Sequence, residues 1–244
     1  TIDADGGPNG LQYSEVDMLL DNGLGGITIK NVLLETPTTE AITAIKNPNF
    51  NSYWVVSHKW NSNEFIAYEV SNAGINLTPI VSALGDAVNA PIGTIKISPD
   101  GTKLAMSTKI NGELGLCDFN SSTGVVSNLI DLGVNAYGIE FSPNNKLLYS
   151  TNWTAKELSQ WHIESNNQTD IVNSRLVITN GIINNRLAAL QLATDGKIYL
   201  AREDQEYLDV IHQPNLIGLG CNYEFEAVNL NGKKSLLGLP PFIQ

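Results

Sequence analysis

Residues Ile97–Ser107 read ISPDGTKLAMS: a short apolar strand, a Pro-Asp-Gly turn and a second apolar strand. Proline presets φ for the turn and glycine accepts the left-handed backbone that closes it, so Pro99, Asp100 and Gly101 answer a backbone need. The register returns as FSPNNKLLYS from Phe141, as LATDGKIYLA from Leu192 and, more loosely, as IKNPNFNSYWVVS from Ile45. With Pro48, Pro99, Pro143 and Thr194 equated, the copies lie 51, 44 and 51 residues apart. A strand-turn-strand recurring at that interval predicts repeated β modules, and the interval suits four-stranded propeller blades.

Around each copy the chain reads as a full blade. ITAIK, YWVVSHKW, EFIAYEV and a weaker strand near Leu77–Leu84 make the first; GTIKIS, KLAMST, LGLCDF and VVSNLID make the second. YGIEFS, LLYSTNW, LSQWHIE and VNSRLVI follow, then AALQLA, KIYLARE, YLDVIH and EFEAVNL. Ahead of them, Leu11–Leu20 and Ile27–Leu34 read as two strands joined by DNGLGG. Val16, Met18 and Leu20 there alternate with Glu15, Asp17 and Leu19, the pattern of an outer strand with one face covered. Two strands do not make a blade, so the chain enters partway through one. The proline-bearing tail LLGLPPFIQ suits the place where a ring closes against the first blade. The expectation is an all-β fold, one β-propeller domain over residues 1–244, of four-stranded blades. It is seven-bladed when complete, with this chain covering about five blades' worth. Upstream chain or a partner would complete the ring.

Composition supports that class and narrows the function. Charged residues are only 16% of the 244, while Asn, Ser, Thr and Gly abound, as many turns between short strands require. With 14 Lys plus Arg against 25 Asp plus Glu, the net charge of −11 repels phosphate backbones, so nucleic acid is not an expected partner. No apolar run approaches the roughly 20 residues that span a bilayer. Cys117 and Cys221 are the only cysteines, too few for a disulfide-rich scaffold or a cysteine-only zinc site; the sequence leaves them as a bridge or as two buried thiols.

No catalytic constellation emerges. His58, His162 and His212 fall in different modules with no zinc-binding spacing, and no G-x-S-x-G elbow occurs. Asp3, Asp5 and Asn9 in TIDADGGPNG fit a calcium loop poorly, because Gly7 and Ser14 stand where ligands belong. The expectation is no enzyme, no metal and no cofactor. Four sequons begin at Asn76, Asn120, Asn152 and Asn167.

In a four-stranded blade the loop between the second and third strands shares a face with the connection to the next blade, and ligands meet loops on such a face. That face carries His58, Trp60, Asn61, Lys109, Asn152, Trp153, Lys156, Arg202 and Glu203. Trp60 and Trp153 either offer flat surfaces to a sugar or a partner side chain or cover the blade core. Trp54 and Trp161 lie within strands and read as core. A rival site is the central channel, for which the inner strands offer Thr43, Lys46, Thr94, Lys96, Glu140 and Gln191 as polar groups.

Several strings in order carry a resemblance: GLQYSEVDMLLDNGLGGITIKNVLLETPTTEAITAIKN, WVVSHKWNSNEFIAYEV, VSNAGINLTPIVS, ISPDGTKLA, CDFNSSTGVVSN, YGIEFSPNNKLLYST, LQLATDGKIYLAR, CNYEFEAVNL and GLPPFIQ. The chain resembles the YVTN/WD40-like propeller module of large Bacteroidota surface proteins of the gliding-motility and adhesion type. These are exported by the type IX secretion system and often carry PKD-like repeats and a sorting domain, neither of which is present in these residues. The resemblance implies an extracellular, cell-surface location and a non-enzymatic recognition, adhesion or assembly role, with protein or glycan bound at one propeller face. The alternative is a propeller enzyme of lactonase or glycan-lyase type with its site in the channel.

Overall fold

The computed structural model describes residues 6–89, 93–108, 114–165, 167–180 and 186–243. The repeated turn is built the same way in three copies, and in the first the bracing asparagine, Asn47, stands before the proline instead of after it. Asn47, Asp100, Asn144 and Asp195 each accept, on the side-chain oxygen, the backbone N–H two residues on, at 3.1, 3.1, 3.2 and 3.2 Å. Short polar side chains of this kind mimic a backbone turn. In three copies the following residue takes the left-handed conformation that the sequence called for: Gly101 at φ 70°, Asn145 at 62° and Gly196 at 77°.

Each turn joins the first two strands of an antiparallel sheet. The chain opens with a hairpin of β1 (Leu11–Asp17) and β2 (Gly26–Glu35). Blade one is β3 (Thr38–Lys46), β4 (Ser52–Lys59) and β5 (Ser62–Ser71), whose outer edge is shared by the short β6 (Gly74–Ile75) and by β7 (Ile80–Val88). Blade two runs β8 (Gly93–Ile97), β9 (Lys103–Thr108), β10 (Leu114–Asn120) and β11 (Val125–Asp131). Blade three is β12 (Ile139–Phe141), β13 (Leu147–Asn152), β14 (Glu157–His162) and β15 (Leu176–Asn180), with a helical turn α1 (Gln168–Asn173) before its last strand. Blade four is β16 (Leu187–Leu192), β17 (Ile198–Arg202), β18 (Tyr207–Ile211) and β19 (Tyr223–Asn229).

The blades stack through the side chains that alternate to their flanks. Ala41, Ile45, Trp54 and Phe65 of blade one meet Ile95, Leu104, Met106 and Phe119 of blade two. Ala105 and Leu116 of blade two pack on Phe141, Leu148 and Trp161 of blade three, and Tyr149 and Leu158 of blade three pack on Leu190, Leu200 and Ile211 of blade four. Every blade core is therefore shared with a neighbour, and no blade could bury its flanks alone. Trp54 also donates its Nε1–H to the Ser121 carbonyl at 2.8 Å, tying blade one to a turn of blade two.

The four blades and their strand order match the sequence reading, with two differences. Among the described residues the blades number four, and the fifth is represented only by the hairpin. Its expected covered face is open as well: Val16, Met18 and Leu20 are 53%, 60% and 44% exposed, because only the base of the hairpin, through Leu11 and Leu34, packs on Ile66 and Tyr68 of β5. Helix α1 went unanticipated; Asn167 caps it by accepting from the N–H groups of Thr169 and Asp170, a role hidden inside an apparent sequon. Cys117 and Cys221 are both buried free thiols in separate inter-blade clusters. No helix among the described residues is long and apolar enough to cross a membrane.

Candidate functional site

The first strands β3, β8, β12 and β16 are the innermost, and the repeat places one polar side chain at the same register in three of them. Lys96, Glu140 and Gln191 each stand two residues before the residue that opens the turn, Ser98, Ser142 and Ala193. They meet at the axis. Lys96 Nζ lies 3.0 Å from Glu140 Oε2 and donates to Gln191 Oε1 at 2.6 Å. Glu140 is fully buried, and its carboxylate also accepts from the Leu192 N–H at 2.9 Å and from its neighbour Phe141 N–H at 3.0 Å. A buried carboxylate persists only when charge and lone pairs are both answered, and here three blades answer them together.

Beside this triad lies a cavity of about 580 Å³. Its lining includes the polar side chains of Thr43, Thr94, Lys96 and Gln191, apolar residues of the inner strands such as Ile95 and Leu190, and the stretch from Leu237 to Ile243, which is hung on blade four by a bond from Ala189 N–H to the Leu237 carbonyl at 3.0 Å. Glu140 stands behind the wall rather than in it, and Lys46 lies away from the cavity.

Tyr137 links the cavity to the loop face. Its ring is 4.9 Å from that of Trp153, and the Arg186 guanidinium sits 4.9 Å over the same indole while pairing with Glu203 at 3.3 Å. Burial, then the negative charges of Glu40 and Glu203, push the Tyr137 phenol above its ordinary pKa, so it is a neutral hydrogen-bonding group there. Trp153, Arg186, Tyr137 and Glu203 come from the second-to-third-strand loops and inter-blade connections, the face expected from topology. Tyr137 and Arg186 were not legible in the sequence, since each is a single residue in a connection without a repeating signal.

The other expected face residues divide. His58 is interior: it is 1% exposed, edge-on to Phe65 at 4.6 Å, with Nδ1 2.8 Å from the Lys59 carbonyl, and burial lowers its pKa to about 4. Arg202 is interior too, between Asp209 and Glu226 at 3.1 and 3.2 Å and 4.2 Å over the Phe225 ring. Arg202 is the last residue of β17 and His58 the last but one of β4, positions where the pleat points the side chain into the core instead of the loop. Trp60 is half-buried beneath Gly6, whose position leaves no room for a Cβ above the indole. Asn61 is exposed in a left-handed turn at φ 50°, as Lys156 is half-buried in one at 53°. Asn152 accepts from the N–H groups of Thr154 and Ala155, and the other three sequon asparagines likewise brace their own turns. Lys109 lies outside the described residues, as do Asp3 and Asp5 of the glycine-rich segment. His162 pairs with Glu164 and His212 with Glu224, each on its own blade. No cluster of three His, Cys, Asp or Glu that could hold a metal occurs among the described residues.

No protein-family model and no curated protein matches the chain. Among solved structures it is similar to a candidate 6-phosphogluconolactonase from Bacteroides uniformis, with TM-score 0.55 and 12% identity over 82% of this chain and 59% of that one. A protein from Lactobacillus plantarum is similar with TM-score 0.53 and 13% identity, over 82% and 60%. A protein of unknown function from Desulfotomaculum acetoxidans gives TM-score 0.50 and 12% identity, over 81% and 57%. The chain thus spans less than two thirds of the length of each of these three structures. At these identities the likeness is one of fold, and the fold is a β-propeller of four blades.

Proposed function

We propose that the chain is a non-enzymatic recognition, adhesion or assembly module of a secreted cell-surface protein. The observation that carries the reading is the hairpin β1–β2, which presents Leu19 at 89%, Leu24 at 79% and Met18 at 60% exposure and pairs with no third strand among the described residues. An apolar patch with open strand edges is costly in water and marks a surface that another polypeptide covers. Its place in the chain supports an occupant that completes a blade. β2 leads straight into the inner strand β3, as β7 leads into β8 and β11 into β12, so β1 and β2 hold the third and fourth positions of a blade whose inner half comes from adjoining chain or a partner. The ring so completed has seven blades, in keeping with a chain that spans about 60% of similar propellers.

Recognition of protein or glycan falls to the face around Trp153, Glu203, Asn152, Lys156, Asn61 and Trp60. The resemblance of the ordered motifs to Bacteroidota surface proteins carries the location and the type IX export route. Protease treatment of intact source cells, followed by hydrogen exchange of the protein released from them, tests both halves. Accessible protein whose β1–β2 amides are protected supports the reading. Protein sealed inside the cell, or a hairpin that exchanges as freely there as in this chain alone, contradicts it.

A second reading, a propeller enzyme of lactonase or lyase type, draws on the buried Glu140 beside Lys96 at the axis. Lactone hydrolysis or glycan cleavage abolished by Glu140→Gln in a folded protein would favour it.

A further inference from the structure

We propose that the free edge of β1 accepts one antiparallel strand, the second strand of a further repeat of this kind, supplied by the chain that runs into β1. The proposal rests on the recognition reading above and names the occupant of its open hairpin. Of the two hairpin edges, one is closed. In all five sheets the outermost strand carries extra residues opposite the third: in the hairpin, Ser14 of β1 alone faces the extra residue of β2 between the pairs Tyr13–Val32 and Glu15–Ile29. The bulge of β2 holds Asn31 at φ 55°, its N–H donating to Ser14 Oγ at 3.0 Å. That of blade four holds Glu226 at φ 56°, its N–H donating to Asp209 Oδ1 at 2.9 Å. Such bulges break the ladder and blunt an edge against further pairing. β2 is thereby an outermost strand, and the edge left to pair is that of β1.

Charge describes the strand that fits there. Third strands elsewhere lie between two neighbours, and Leu116 of β10 and Phe65 of β5 are buried where Val16 of β1 is exposed. In blades one, two and four a basic residue of the second strand pairs with an acid of the third: Lys59 with Glu64 at 2.8 Å, Lys103 with Asp118 at 2.6 Å and Arg202 with Asp209 at 3.1 Å. β1 carries Glu15 and Asp17, and among the described residues neither is in an ion pair. The occupant is therefore a short apolar strand with a lysine or arginine opposite these carboxylates, its main chain supplying the pairing. Its source follows from where the chain enters. Gly6 lies against the indole of Trp60, which stands in the loop between the second and third strands of blade one. Thr36 Oγ1 lies 3.2 and 3.1 Å from the Gly7 and Pro8 carbonyl oxygens. The chain thus reaches β1 on the face where second strands end, as a strand of the same polypeptide would deliver it.

The test is amide hydrogen exchange of the full 244-residue chain with a second copy of residues 93–108, the first two strands of blade two, fused ahead of Thr1. The expected result is exchange of the Leu11–Asp17 amides slowed by about tenfold or more relative to the chain alone. Ala105→Pro in the added copy removes a ladder donor and should restore the original rate. Lys103→Glu in that copy sets like charges against Glu15 and Asp17 and should cost about threefold of the protection. The same segment as a free peptide at about 1 mM lacks the tether and should protect far less. Amides of β1 that exchange as fast in the fusion as alone, or protection that survives Ala105→Pro, overturns the proposal. Protection unmoved by Lys103→Glu contradicts the charge match, and a free peptide as effective as the fusion contradicts the in-chain source. A fusion that leaves β1 unprotected, with the hairpin protected in the protein from cells, sinks this proposal and keeps the recognition reading; protein sealed inside the cell removes that reading and keeps the strand site.

Discussion

Lys96 and Gln191, 95 residues apart in sequence and on the inner strands of the second and fourth blades, touch at the axis with Nζ 2.6 Å from Oε1. Between them in sequence stands Glu140 of the third blade, whose carboxylate accepts a second N–H of the same ammonium. One cation therefore ties three blades together at the line around which they are arranged. The surrounding cores are shared between neighbours, so the axis and the flanks stabilise the same radial order.

Burial makes His58 a source of pH dependence. Its pKa in the fold is lowered to about 4 from an ordinary 6.5, so the unfolded chain takes up a proton that the fold refuses. Stability from this group is complete above about pH 6.5 and is lost as pH falls toward 4, by an amount on the order of 3 kcal/mol. Urea unfolding at pH 7, 5.5 and 4.5 should show a decline that is shallower in His58→Gln. A variant that declines as steeply as the parent contradicts the assignment.

The thiols should be inert while the protein is folded. Burial pushes Cys117 up to about 12 and raises Cys221 as well. At pH 8 a thiol of that acidity is thiolate in about one molecule in ten thousand. Iodoacetamide is expected to leave the folded chain unmodified and to label two sites in urea, read by mass spectrometry. Rapid labelling of the native protein at either cysteine, or a mass two protons short, would be inconsistent with two free interior thiols.

Apolar side chains on the hairpin and in the blades should behave oppositely. Leu104 is fully buried between blades one and two, and Leu104→Ala is expected to cost about 2–5 kcal/mol. Leu19→Ser and Leu24→Ser remove groups that touch water and should change stability by less than about 0.5 kcal/mol while reducing aggregation. Chemical denaturation of the three variants separates the cases, and a hairpin variant as damaging as Leu104→Ala would mean that the hairpin is packed.

The blade architecture was legible because each copy needs the same turn, and only a few residues satisfy it: Asp100, Asn144 and Asp195 brace it, and Gly101, Asn145 and Gly196 close it. Trp54 and Trp161 were legible as core from their place inside strands. The exposure of Val16 and Met18 was not, since alternation says which face a residue shares but not whether anything covers that face. The axial triad was visible only as polar residues on inner strands; that Lys96 would reach past Glu140 to Gln191 depends on how three blades converge, which no local pattern records. His58 and Arg202 were misplaced for a related reason: a one-residue difference in where a strand ends turns a side chain from the loop to the core.

The most direct test of the radial arrangement is a double-mutant cycle on Lys96→Met and Gln191→Leu, measured by urea unfolding. Convergence of the two blades on one axis predicts a coupling of about 1–3 kcal/mol across those 95 residues of sequence. Effects that add to within about 0.3 kcal/mol would contradict it, because side chains on separate, non-converging sheets have no means to interact.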